Sequence, residues 1–165
     1  TIVLPQMGEE YHLHPTQGQV DTYHQMIEWG ADVIFGGHPH VIEPTETITK
    51  DGEKKFIIYS MGNLLSNQRV ETLENIWTER GVIMDITIEK ENGKTTLTSV
   101  KAHPTWVSRT EIDRSFMGGP AYDYQVFLAE NYIPGGLLEH TVDKETLERI
   151  QSAYTEVNEL LDIKF

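Results

Sequence analysis

Residues 33–44, VIFGGHPHVIEP, set a short apolar run before two glycines and then place two histidines around a proline. The run 31–35, closed by Gly36-Gly37, reads as a compact buried strand that ends in a sharp turn. Upstream, Pro15 and Thr16 mark a helix start. Val20, Tyr23 and Ile27, with Met26 beside them, follow at helical spacing, and Gly30 sits where a C-terminal cap belongs. Before that helix, residues 2–4 form an apolar run stopped by Pro5 and Gly8, which reads as another buried strand. Strand, helix and strand in this order make a βαβ unit, whose crossover favours a parallel pair. The histidines then lie beyond the carboxyl end of a parallel strand, where ligands of α/β sheets usually bind.

Downstream the pattern changes period. Residues 46–49 and 55–59 around Asp51-Gly52 read as a β-hairpin, because Asp-Gly supplies the positive φ angles of a tight turn. Val82, Met84, Ile86 and Ile88 alternate through 81–90, and Asn92-Gly93 turns the chain into a strand over 95–101. Residues 66–80 are polar and are expected to be a surface loop, as is 117–120. Asp143 is placed to cap a last helix with the stripe Leu147, Ile150, Tyr154, Val157 and Leu161, most simply a packing face. The expected class is α/β with α+β character: a βαβ unit, then antiparallel hairpins, then a C-terminal helix.

A chain of 165 residues, 38% hydrophobic and 24% charged, has the make-up of a folded domain. Its formal net charge of −13 argues against a nucleic-acid backbone or an anionic membrane surface as the main partner, and suits a site neutralised by a cation. The absence of cysteine removes disulfides, thiolate metal sites and cysteine nucleophiles. No apolar run reaches the ~18–20 residues of a membrane-spanning helix. There is no GxSxG, P-loop or GxGxxG, which removes serine-hydrolase and nucleotide-loop readings. The opening TIVLPQMGEEY enters a strand at once, and the chain is expected to be a fragment of a longer protein.

In an extended or turn conformation, residues two apart point the same way, so His38 and His40 can converge on one centre or on two neighbouring ones. Pro39 restricts the backbone between them and reduces the entropy lost on binding. The other histidines, His12, His14, His24, His103 and His140, lack convergent spacing and read as solvated or locally satisfied. His12 and His14 form a second HxH, but in a polar loop without a glycine turn.

The stretch GADVIFGGHPHVIEP, followed by FIIYSMGNLLSNQ, resembles bacterial capsule and poly-γ-glutamate synthesis proteins of the CapA type, within the calcineurin-like metallophosphoesterase superfamily. MGEEY upstream is similar to that family's HWGxEY block, and TERGVIMDITIEK and AHPTWVSR continue the likeness downstream. The resemblance spans residues 1–109, expected to be the C-terminal portion of a metallophosphoesterase-like sandwich; 110–165 fits a variable C-terminal extension. It implies that His38 and His40 are the two histidine ligands of a GHxH motif in a two-metal centre, with Gly37 allowing close approach. Such a centre activates a bridging water for attack on phosphorus. Manganese, iron or zinc suits imidazole and carboxylate ligands. Glu10 matches the glutamate of the GxEY block, and either orients a ligand or is a surface carboxylate. Asn63, in SMGN, either lines the pocket or caps the turn.

Two departures stand against full activity. Where the family's block opens with histidine this chain has Gln6, a neutral and weaker ligand. The superfamily's DxH, GDxxD and GNH[DE] motifs would precede Thr1, so two histidines alone are too few ligands for a stable site. The resemblance therefore implies part of a capsule or poly-γ-glutamate synthesis protein on the outer face of the bacterial envelope. Its expected partners are the polymer or its assembly machinery and the remaining half of its own domain. The alternatives are a non-catalytic envelope scaffold with a decayed metal site, or a metal-dependent phosphoesterase of small substrates. An uncovered sheet face and edge are expected to drive self-association.

Overall fold

Thr16 ends its extended backbone by accepting a hydrogen bond from the Gln19 amide, and a helix starts where the sequence places it. The computed structural model describes residues 1–113 and 118–165; the expected loop at 117–120 therefore has Met117 outside the described residues. In chain order the elements are β1 (Ile2–Val3), α1 (Gln17–Glu28), β2 (Val33–Phe35), β3 (Ile42–Lys50) and β4 (Glu53–Met61). There follow α2 (Val70–Leu73), a 3₁₀ turn (Ile76–Glu79), β5 (Arg80–Glu91), β6 (Lys94–Ile112) and β7 (Ala121–Leu128). A second 3₁₀ turn (Ala129–Asn131) precedes α3 (Lys144–Leu161).

Two sheets result. The first runs β1-β2-β4-β3, with β1, β2 and β4 parallel and β3 antiparallel to β4; the second is the antiparallel β5-β6-β7. Side chains alternate across β2 and β4 and so feed two cores. Ile34 and Ile57 meet Tyr23 and Ile27 of α1 on one face. Val33, Phe56 and Ile58 meet Val82 and Val100 of the second sheet and Val157 and Leu161 of α3 on the other. Both faces of the first sheet are thus covered, which corrects the expectation of an uncovered face. The β1 end of the sheet is open, with Ile2 and Leu4 exposed beside it.

The hairpin at Asp51-Gly52 forms, and its strands run further than the polar composition suggested, because β3 pairs with β4 from Ile42 to Lys50. Pro44 is tolerated there because β3 is an edge strand. Likewise β6 runs through Pro104 to Ile112, well past 101 and across residue 109 without a break. Pro104 pairs only with β5, since β7 joins β6 from Thr105 onward, so the missing N–H interrupts no second ladder. Asp143 caps α3 through the Thr146 amide, and Ile150, Ala153, Val157 and Leu161 are its buried stripe.

The largest correction concerns residues 66–80. They carry two short helices and bury Arg69, Thr78, Glu79 and Arg80. Glu79, 2% exposed, accepts from Trp106 Nε1 at 2.9 Å, from Arg149 Nη2 at 2.5 and 2.6 Å and from the Val70 amide at 2.9 Å. Arg80 donates to Glu156 and Ser152 of α3. Polar composition signalled solvent, whereas these charges are paired with a helix some seventy residues away, which a local reading cannot detect.

Candidate functional site

The turn after β2 is built by close approach. A Cβ on Gly36 would collide with the Tyr59 carbonyl, so β2 can leave the sheet there only as glycine. Gly37 forms a parallel bridge with Gln6: its N–H donates to Pro5 O, and its carbonyl accepts from the Met7 N–H, both at 3.0 Å. The Gln6 amide lies over Gly37, with Nε2 2.5 Å from where a Cβ would sit. The chain between 5 and 11 then follows the histidine turn, and the Tyr11 N–H donates to Pro39 O at 2.8 Å.

His38 and His40 flank a buried Pro39, and both have positive φ, 98° and 61°. Tyr11 does too, at 67°. Non-glycine residues in this region cost on the order of 1–3 kcal/mol each, and such residues cluster at functional sites. The two imidazole centroids are 6.3 Å apart and tilted by 42°. His38 is exposed; His40 is half-buried, stacked at 6.1 Å on the Tyr11 ring.

Asn63 joins this group from the end of β4. Its Oδ1 lies 3.0 Å from His40 Nδ1, and its Nδ2, with two hydrogens to give, faces His40 O, Gln68 Oε1 and Thr78 O at 3.0–3.1 Å. Asn63 therefore touches both the His40 ring and the backbone of the turn. Gln68 in turn donates to the Tyr11 hydroxyl at 3.3 Å. Glu10 is exposed, and its carbonyl faces His12 Nδ1. Among the described residues, no group of three or more His, Asp or Glu side chains converges as a metal site, so the pair stands as two imidazoles.

Behind the turn lies a polar cluster that sequence reasoning missed. Gln19, Tyr23 and Glu43 are fully buried. Gln19 Nε2 donates to Glu43 Oε2 at 2.6 Å and to Tyr59 O at 3.1 Å. Burial pushes the Glu43 carboxyl up to about 7, against the opposing pull of the Gln19 hydrogen bond and the charge of His12. Burial likewise pushes the Tyr23 phenol up to about 12. The signal was present: Gln19 sits one helical turn before Tyr23, and Glu43 interrupts an apolar strand start. His24 and His103 each face a carboxylate, Glu46 at 2.8 Å and Glu130 at 3.0 Å, away from this site.

Residues 1–68 match the family described as "Bacterial capsule synthesis protein PGA_cap". This stretch is thus similar to that family. It contains β1, α1, the histidine turn, β3, β4 and Asn63. The stretches TERGVIMDITIEK and AHPTWVSR lie outside it. The chain is 37% identical over 67 residues to "PGA biosynthesis protein CapA" of Bacillus subtilis (strain 168), covering 41% of this chain and 17% of that protein. It is also 37% identical over 67 residues to "Capsule biosynthesis protein CapA" of Bacillus anthracis, covering 41% of this chain and 15% of that one. The matched stretch is thus about a sixth of the length of these relatives. Among the described residues, no helix is long and apolar enough to cross a membrane.

Proposed function

We propose that this chain carries the histidine-pair portion of a two-metal, metallophosphoesterase-like centre in a protein of bacterial capsule or poly-γ-glutamate synthesis. In this reading it works at the outer face of the envelope, on the polymer or its assembly machinery. The observation that carries the reading is the turn itself: two imidazoles 6.3 Å apart on left-handed backbone, anchored to a sheet by Gly36 and Gly37. With metal–imidazole bonds of about 2.1 Å, both rings reach one ion or two adjacent ones. Two ligands are fewer than any such ion needs, so the reading requires further ligands from outside this stretch. When bound, such ions would polarise a phosphoryl oxygen and supply a hydroxide. This chain's own part is to hold two neutral imidazoles at fixed spacing and to keep the backbone close beneath them.

The test is metal content of the full-length protein by elemental analysis after equilibration with Mn²⁺, Fe²⁺ or Zn²⁺. Two equivalents are expected, with loss of at least one in His38→Ala and in His40→Ala. Unchanged metal in the double variant removes the ligand assignment. A second reading, a scaffold whose metal site has decayed, is favoured by Gln6, whose exposed amide is a weak ligand beside the turn. No metal uptake by the full-length wild type would favour that second reading.

A further inference from the structure

We infer that Asn63 is a positioning residue that fixes the tautomer of His40, so that Nε2 is the ring nitrogen offered to a ligand. The identity of that ligand rests on the metal-site reading above; the tautomer rests on the hydrogen bonds alone. Asn63 is 9% exposed, and its amide has one orientation that satisfies its surroundings. Nδ2 faces three oxygens: His40 O at 3.1 Å, Gln68 Oε1 at 3.1 Å and Thr78 O at 3.0 Å. A flipped amide would set Oδ1 against two carbonyl oxygens that can only accept. Gln68 Nε2 faces the Tyr11 hydroxyl at 3.3 Å, a group that can donate or accept, so the two carbonyls are what orient Asn63.

Oδ1 therefore faces His40 Nδ1, at 3.0 Å, and can only accept. A neutral imidazole has a single N–H, which this contact places on Nδ1 and leaves the lone pair on Nε2. A histidine in water favours the opposite tautomer, so the protein reverses the ring's own preference. The Tyr11 ring, stacked at 6.1 Å, limits rotation of the imidazole. Second-sphere partners that orient a ligating histidine in this way typically change metal affinity 10–100-fold when removed.

What holds Asn63 comes from the segment that the sequence suggested was a surface loop. Its N–H donates to Arg80 O at 3.2 Å, and its side chain to Thr78 O. Gly62 and Gly81 form a bridge beside it. Between Thr78 and Arg80 lies Glu79, bound by Arg149 of α3 and Trp106 of β6. The histidine's orientation is thus tied to elements that follow the PGA_cap stretch.

The test is a two-bond ¹H–¹⁵N spectrum of the metal-free protein at a pH where His40 is neutral. His40 is expected as the Nδ1–H tautomer in the wild type and in Gln68→Ala, which keeps the Asn63 acceptor oxygen and both carbonyls that orient it. Asn63→Ala is expected to shift it to mainly Nε2–H and to weaken Zn²⁺ binding 10–100-fold. A wild-type His40 found as Nε2–H overturns the inference, as does an Asn63→Ala spectrum identical to the wild type. Should Asn63→Ala fail to fold, the wild-type and Gln68→Ala tautomers decide. A locked Nδ1–H with no metal uptake by the full-length protein would keep this inference and remove the metal reading. Metal uptake with His40 as Nε2–H would do the reverse.

Discussion

Around the histidine turn, polar atoms are buried with part of their hydrogen bonding unmet, and three non-glycine residues adopt backbone angles that side chains disfavour. Gln19, Tyr23 and Glu43 are fully buried, each with a side-chain atom that no protein group satisfies, while Tyr11, His38 and His40 all have positive φ. Joined to it through Asn63, residues 69–80 and α3 are as rich in buried polar groups but differ in kind. Arg69, Glu79 and Arg80 each meet a partner: the Val107 carbonyl, the Arg149 guanidinium and the Glu156 carboxylate. The first region holds side chains in a costly arrangement; the second locks elements together. Energy is stored where chemistry is proposed and recovered where the fold is braced.

Three substitutions break or sharpen that contrast. The largest effect belongs to the brace. Glu79→Ala leaves the Trp106 N–H without its acceptor, removes the buried carboxylate facing Arg69 and leaves half-buried Arg149 with Glu71 alone, and is expected to lower stability by about 3–5 kcal/mol in urea denaturation. A loss under about 1 kcal/mol would mean that the network is ornament and that apolar packing of α3 suffices.

Next comes the buried carboxyl. Glu43 is raised from its ordinary 4.5 to about 7 in the folded chain, chiefly by burial. Between those values the native state binds more protons than the unfolded one, so this group's contribution to stability is complete below about 4.5 and is lost as pH rises through 7. The loss is about 3 kcal/mol by linkage. Carboxylates held low by cationic partners, such as Glu71 beside Arg149 and Glu156 beside Arg80, slope the other way. The informative quantity is therefore wild type minus Glu43→Gln across pH 4.5–8. Glu43→Gln is expected to gain relative stability as pH rises; a flat difference would show that Glu43 ionises as if in water.

The smallest effect tests stored strain. At His38, with φ of 98°, glycine fits the backbone without penalty but loses more entropy on folding. His38→Gly is expected to stabilise the metal-free protein by about 0.5–1 kcal/mol in urea titration. A clear destabilisation would place the imidazole among the packing groups and erase the contrast between the two regions.

Much of the first region was legible because its signals are local. The Thr16 cap, the Tyr23–Ile27 spacing, the Asp51-Gly52 turn and the glycines before the histidines each act through neighbours in the chain. The second region was partly illegible because its signals are long-range. Residues 66–80 read as solvated until α3 supplied countercharges and β6 hydrogen-bond partners, and β6 read as ending before Pro104 until the start of β7 pairing explained the proline. Strand β7 carried too weak an alternation to be seen at all; its inner side chains are only half-buried.

The amino-acid sequence by itself determined that a glycine turn after a parallel strand presents His38 and His40 together, since chain geometry over a few residues suffices for that. It also contained Gln6 and Asn63 in motif positions, without saying how either side chain is used. Only the tertiary structure decided that Asn63 grips the His40 ring, that Gln6 lies over Gly37, and that Glu43 is sealed behind the turn. Those outcomes depend on which distant backbone oxygens and charges arrive alongside, and that is settled by packing rather than by local preference.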